Sequence, residues 1–175
     1  YRPSLALGSA DFTVSTWVKY TAGSADQVIF WGYGTGATER SVWLRAQPSK
    51  DRLYGYVQTD TGAYEFSGVD TSAAVAFGDG AWHHVALRRA GGSLGLFVDG
   101  NQVGSGSVSG SLTYGDTFAV DGFTLGMKPD GTDRFKGAMD LFEIHRRALT
   151  DSELREVDGD FGSVTAVRLG LDSAS

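Results

Sequence analysis

The stretch Trp82–Gly100, WHHVALRRAGGSLGLFVDG, constrains this chain more than any other. It alternates twice. Val85 and Leu87 share one face and His84 and Ala86 the other, and after Ala90-Gly91-Gly92 a second run sets Leu94, Leu96 and Val98 against Gly95, Phe97 and Asp99. A period of two with apolar residues on one side is the pattern of a half-buried antiparallel strand. Gly91-Gly92 supplies the positive φ that a tight hairpin needs, and Asp99-Gly100 is a second turn pair leading to a further strand. Two consecutive hairpins are expected, with Asn101 to Gly110 as an edge strand and exposed loop.

The rest of the chain keeps this rhythm. Strands are expected at 12–20, 27–33, 41–46, 53–59, 64–67, 118–125, 138–145 and 163–169, separated by turns such as Pro48-Ser49-Lys50-Asp51 and Asp60-Thr61-Gly62. Thr150 and Glu153 form a capping box for a short helix over 151–157. In 175 residues there are 25 Gly, 3 Pro and 12% aromatics, a composition suited to many short strands and tight turns. No linker, internal repeat or heptad pattern divides the chain, so a single domain over 1–175 is expected. The predicted architecture is all-β, a jelly-roll sandwich of two antiparallel sheets with one short helix near the C-terminus.

The Trp82-His83-His84-Val85-Ala86 core and its Leu94-Gly95-Leu96-Phe97-Val98-Asp99-Gly100 partner resemble the central signature of laminin G-like (pentraxin-like) domains of the concanavalin A-like lectin and glucanase superfamily. Phe12 to Val18 resembles the opening strand of that family. Phe123-Thr124-Leu125-Gly126 with Phe135 to Asp140 resembles its closing pair, and Arg147 to Leu154 its terminal helix. The resemblance implies a domain of a larger secreted or cell-surface protein, attached to catalytic or adhesive domains of the same chain. Tyr1 in place of an initiating Met fits a piece of a longer chain.

Several function classes are excluded by composition. A net charge of −6 with dispersed Lys and Arg argues against nucleic acid. In each of the pairs Arg88-Arg89 and Arg146-Arg147, one member is expected to be solvated and one salt-bridged. Zero Cys removes disulfides and thiolate chemistry. No apolar run reaches the 18 or so residues of a membrane span, so membrane insertion is not expected.

Enzymatic function is not expected. Glucanases of this superfamily present three carboxylates on one strand, and here Ala138 stands two residues before Asp140, where the nucleophile would be. Asp140 and Glu143, at odd spacing, fall on opposite faces unless a bulge intervenes. His83 and His84 also point opposite ways, which prevents joint chelation of a metal. Calcium is the ion that the resemblance implies. Asp140 is the candidate ligand, with Asp11 or the Asp130–Asp133 loop as supporting acids, and the competing role for Asp140 is capping of a local loop.

A glycan site needs aromatic faces and planar polar groups. These cluster early, in Tyr33, Arg40, Trp43, Arg45, Tyr54, Tyr56 and Gln58. Trp43 shares a face with Arg45, and Tyr54 with Tyr56 and Gln58. Arg134 lies on a second group running from Met127, between the closing strands. Trp17, Trp31 and Trp82 are expected to pack rather than bind. The function expected is a non-catalytic carbohydrate-binding module whose partner is a polysaccharide or other glycan. A protein-interaction module and a structural spacer are the alternatives.

Overall fold

The computed structural model describes residues 7–21, 25–33, 41–47, 52–67, 78–112 and 123–156, with the side chains of Tyr33 and of 62–67 excepted. The expected strand at 163–169, the first part of that at 118–125, Val157 and Arg40 lie outside the described residues. Ten strands and one helix run in the order β1 (Phe12–Thr21), β2 (Gln27–Tyr33), β3 (Ser41–Gln47), β4 (Arg52–Thr59), β5 (Gly62–Ser67), β6 (Asp79–Ala90), β7 (Ser93–Val98), β8 (Asn101–Ser107), β9 (Phe123–Leu125), β10 (Gly137–His145) and α1 (Asp151–Glu156). They form two five-stranded antiparallel sheets, β10-β1-β6-β7-β8 and β5-β4-β3-β2-β9, in a jelly-roll sandwich.

The central hairpin behaves as its alternation predicts. Val85 and Leu87 of β6 and Leu94, Leu96 and Val98 of β7 point into the core. They meet Phe30, Val42, Leu44, Ala46, Leu53 and Val57 of the opposite sheet, all almost fully buried. Gly91 and Gly92 turn at φ 54° and 85°, and Asp99 and Gly100 at 49° and 68°, the left-handed pairs that match the twist of the flanking strands. β8 is an edge strand, as expected.

No tryptophan belongs to this central core. Trp17 is buried, as the packing expectation required, but on the outer face of the first sheet beside His84. Trp31 and Trp43 are buried on the outer face of the second. Alternation identifies a strand's two sides, but only the partner sheet decides which side is the core.

α1 covers another part of the first sheet's outer face, where Leu149 and Leu154 pack on Ala86 and Phe97. Its capping box forms as predicted: the Glu153 N–H donates to Thr150 Oγ1 at 3.2 Å, and the Thr150 N–H to Glu153 Oε2 at 2.7 Å. Arg88 bridges to Asp151 at 2.6 Å and lies over the Phe97 ring. Arg89 corrects the sequence expectation. It is not solvated; it is buried at the sandwich end and donates to the carbonyls of Gly110 (2.8 Å) and Gly8 (3.5 Å).

Candidate functional site

On the outer face of the second sheet, three rings from neighbouring strands stand in one cross-strand row. Trp31 of β2 is in register with Trp43 of β3, and Trp43 with Tyr56 of β4. The rings stack, Trp31–Trp43 at 5.4 Å with 12° between planes and Trp43–Tyr56 at 4.7 Å with 10°. That spacing is close to the separation of adjacent strands, so the ladder follows from placing flat side chains opposite one another. In the next row Arg45 is in register with Tyr54. The Tyr54 ring tilts against Trp43 at 5.2 Å, and Val28 completes the cluster.

Stacking uses up most of the ring surface. Trp31, Trp43 and Tyr54 are 8%, 6% and 7% exposed, and Tyr56 is half-buried. What the ladder leaves accessible is its end at Tyr56 and the polar groups around it, rather than the faces of Trp43. Gln58, also buried, accepts the Tyr56 hydroxyl at 2.9 Å and so orients that ring.

Cations ring the cluster. The Arg45 guanidinium carbon is 4.5 Å from the Trp43 ring centroid and 5.5 Å from that of Tyr54, and Arg52 lies 4.7 Å from Tyr54. Lys128 Nζ is 5.8 Å from the Trp31 centroid. Asp26 accepts from Arg45 at 3.5 Å and from Gln47 at 3.2 Å, and the Gln47 Oε1 accepts Arg52 Nε at 2.6 Å. Asp26, Gln47 and Arg52 were not singled out from sequence. The signal was present for Gln47 and Arg52, because the alternation that joins Trp43 to Arg45 also includes Gln47, and β3 pairs Gln47 with Arg52.

The second predicted group folds onto the first. The Val28 N–H donates to Asp133 O at 2.8 Å and the Lys136 N–H to Gln27 Oε1 at 2.8 Å, which lays the β9–β10 connection along the start of β2. Lys128 is paired with Asp133 at 2.6 Å. Arg134 is exposed on this segment and its Nε donates to Gly131 O at 3.0 Å. Among the predicted binding residues, Trp43, Arg45, Tyr54, Tyr56 and Gln58 thus share one face, and the Arg134 segment borders it. The Tyr33 backbone pairs with Ser41 on the same strands, its side chain and Arg40 lying outside the described residues.

Asp140 lies elsewhere, on the first sheet. β1 and β10 shift register between Ser15 and Trp17, so Ser15 faces Glu143 and Trp17 faces Asp140. Thr16 alone of β1 therefore lies opposite both Leu141 and Phe142 of β10. This bulge, the stated exception to the opposite-face expectation, places Asp140 and Glu143 on one face. Its cost falls on Leu141, a non-glycine residue at φ 47°. Asp140 Oδ1 accepts the Leu141 N–H at 2.8 Å, its carbonyl accepts Thr16 Oγ1 at 2.8 Å, and Glu143 meets His145 at 3.2 Å.

The suggested supporting acids are engaged in other contacts. Asp11 accepts the Gly91 N–H at 2.9 Å, and Asp130 accepts both the N–H and the hydroxyl of Thr132. Among the described residues no three His, Cys, Asp or Glu side chains converge to hold a metal ion. An ion at Asp140 would draw its further oxygens from backbone carbonyls or from residues beyond that set.

His83 and His84 face opposite ways, as expected. His83 lies between Asp99 and Asp79, and hydrogen bonding to Asp99 raises its pKa. Burial lowers that of His84 to about 4.

Two antiparallel sheets with a decorated outer face and a helix on the opposite side define a lectin-type β-sandwich. The chain belongs to the concanavalin A-like lectin/glucanases superfamily, whose laminin G-type family model matches residues 2–155. A zebrafish (Danio rerio) adhesion G-protein coupled receptor V1 is 25% identical over 150 residues, 85% of this chain; the chain spans about 2% of that receptor's length. Among solved structures, the CBM40 of a Ruminococcus gnavus IT-sialidase, bound to α2,3 sialyllactose, aligns with TM-score 0.63 and 22% identity, covering 86% of this chain and 84% of that one. Domain 4 of an extracellular GH43 arabinanase from Geobacillus stearothermophilus, in complex with arabinotriose, aligns with TM-score 0.62 and 22% identity, covering 87% and 68%. At these identities the structural likeness speaks to the fold.

Proposed function

We propose that this domain is a non-catalytic carbohydrate-binding module of a larger secreted or cell-surface protein, holding attached catalytic or adhesive domains on a glycan. The observation that carries the reading is the outer face of the second sheet, where the Trp31–Trp43–Tyr56 ladder carries guanidinium and amide groups above it. Rigid rings with oriented planar donors are what sugar recognition uses. Structural neighbours solved with sialyllactose and arabinotriose support binding of an oligosaccharide. The absence of catalysis rests on Ala138, which supplies no nucleophile beside Asp140. Calcium at Asp140 belongs to the same proposal.

The test is binding to a glycan panel with calcium and then with chelator. Binding that Tyr56→Ala or Arg45→Ala removes supports the module. Calcium dependence that Asp140→Asn abolishes supports the metal.

A second reading, a protein-interaction or spacer domain, is favoured by one observation. Trp31, Trp43 and Tyr54 are more than nine-tenths buried, as a purely structural cluster would be. Absence of binding to every glycan decides for it.

A further inference from the structure

We propose that α1 is an acid-released latch: it closes the outer face of the first sheet beside His84 while that ring is neutral, and lifts from the sheet when the ring takes up a proton. This goes beyond the binding reading and depends on no ligand.

The outer face of the first sheet is arranged in cross-strand rows. Trp17 of β1 is in register with His84 of β6, and in the next row Ser15 is in register with Ala86, and Ala86 with Phe97 of β7. Leu149, just before α1, and Leu154 within it pack on Ala86 and Phe97, so the helix covers the row next to His84. Its last turn also reaches the His84 row. The His84 N–H donates to Asp99 Oδ1 at 2.9 Å, and a Cβ on Gly100, the residue after Asp99, would lie 3.0 Å from Arg155 Cα. Helix and imidazole thus share one patch of sheet.

That patch suits an uncharged ring. His84 is 1% exposed, and neither its ring nitrogens nor the buried Ser15 hydroxyl has a hydrogen-bond partner among the described residues. A neutral imidazole held this way forgoes one donor and one acceptor bond; an imidazolium would bury two charged donors, a far larger penalty. The acids around it are spent elsewhere. Asp99 gives Oδ1 to the His84 N–H and Oδ2 to His83 Nδ1, Glu143 meets His145 at 3.2 Å, and Trp17 stands in register between Asp140 and His84. Arg88 on the same face is paired with Asp151, and Glu153 of α1 with Arg147, while Lys19, Arg155 and Glu156 are exposed. Burial outweighs the attraction of Asp99 and Glu143 and lowers the His84 pKa to about 4.

Charging the ring therefore needs water, and one element is placed to admit it. β6 is paired on both sides, with β1 and β7, whereas α1 has six residues, of which Leu154 is the buried one. Local opening of a weakly held element precedes parting of the sheet. His83 acts in the other direction. Its hydrogen bond to Asp99 raises its pKa, so falling pH strengthens its contacts with Asp99 and Asp79 and does not loosen the helix.

Amide hydrogen exchange of the domain at pH 7.5 and 5.0, corrected for the intrinsic pH dependence of exchange, tests the latch. With the ring at 6.5 when open and about 4 when closed, protection of 151–156 should fall about thirtyfold between the two. It should also stay below the protection of the β6–β7 ladder. His84→Leu and His84→Gln cannot charge, and each should hold the change within about threefold. His145→Gln, on neighbouring β10, should leave the thirtyfold fall intact. Unchanged protection at pH 5.0 overturns the inference, as does a fall that persists in both His84 variants or vanishes in His145→Gln. Equal protection of helix and ladder at pH 5.0 overturns it too, because only global unfolding would then admit the proton.

Discussion

His83 and Asp99 are joined by a 2.7 Å contact from Nδ1 to Oδ2, while the other oxygen of the same carboxylate accepts the His84 N–H at 2.9 Å. Asp99 thereby ties the β7–β8 turn, where its own φ is 49°, to the middle of β6. The second His83 nitrogen faces Asp79 at 3.2 Å, and two carboxylate partners favour the imidazolium. His84, next in sequence, is 1% exposed beside Trp17, and neither of its ring nitrogens has a hydrogen-bond partner among the described residues. One residue apart, the two rings have opposite protonation preferences.

Stability should therefore fall on both sides of about pH 6.5, the ordinary histidine value. Between about pH 4 and 6.5 the unfolded chain binds a proton that folded His84 refuses, so stability is lost as pH falls through that window, by an amount on the order of 3 kcal/mol. Above 6.5 folded His83 holds a proton that the unfolded chain releases, so its contribution is complete below 6.5 and lost as pH rises through its elevated pKa. Urea denaturation from pH 4.5 to 8.5 checks both slopes. His84→Leu should flatten the acid limb alone and His83→Gln the alkaline limb alone; unchanged limbs would disprove the assignment.

Gly110 should tolerate no side chain. It sits at φ 80°, and a Cβ there would lie 2.3 Å from Asp60 Oδ1, which is itself fixed by the Ser111 N–H at 2.7 Å. The Gly110 carbonyl also receives buried Arg89. Gly110→Ala should cost about 2–4 kcal/mol by thermal unfolding. Gly91→Ala, with positive φ but open space around it, should cost only about 1 kcal/mol.

The capping box anchors α1 over Ala86 and Phe97. Thr150→Ala removes one half of it and should destabilise the domain by about 1 kcal/mol. Glu153, held by Arg147 and Thr150, has its pKa lowered to about 2, so its contribution is present above pH 4.5 and lost as pH falls through 2. Amide exchange in 151–156 should accelerate in Thr150→Ala before the core strands respond.

Stability and binding should separate within the aromatic ladder. Trp43 is the middle ring, and Trp43→Ala should cost about 3–5 kcal/mol. Tyr56 is the half-buried end ring, so Tyr56→Ala should cost less in denaturation and more in glycan affinity. Equal stability losses would contradict the ladder's assigned order.

Local chemistry carried far in this chain. The period-two alternation of 82–98, the Gly91-Gly92 and Asp99-Gly100 turns and the Thr150/Glu153 box all depend on neighbours within a few residues, and all are visible in the sequence. So is the grouping of Trp43 with Arg45 and of Tyr54 with Tyr56 and Gln58, because side-chain parity is a property of one strand.

Tertiary structure decided what no single strand contains. Which side of β2 and β3 faced the core depended on the opposite sheet, and this placed Trp31 and Trp43 outside. The β10 bulge exists only in register with β1; it moved Asp140 and Glu143 to one face at the expense of strain in Leu141. The approach of the 126–136 segment to β2 rests on hydrogen bonds that span about a hundred positions of chain, from Val28 to Asp133 and from Gln27 to Lys136. Sequence sets the chemistry each residue offers along its own strand; the geometry of a site comes from pairing between distant strands, whose partners and register only the packed sandwich selects.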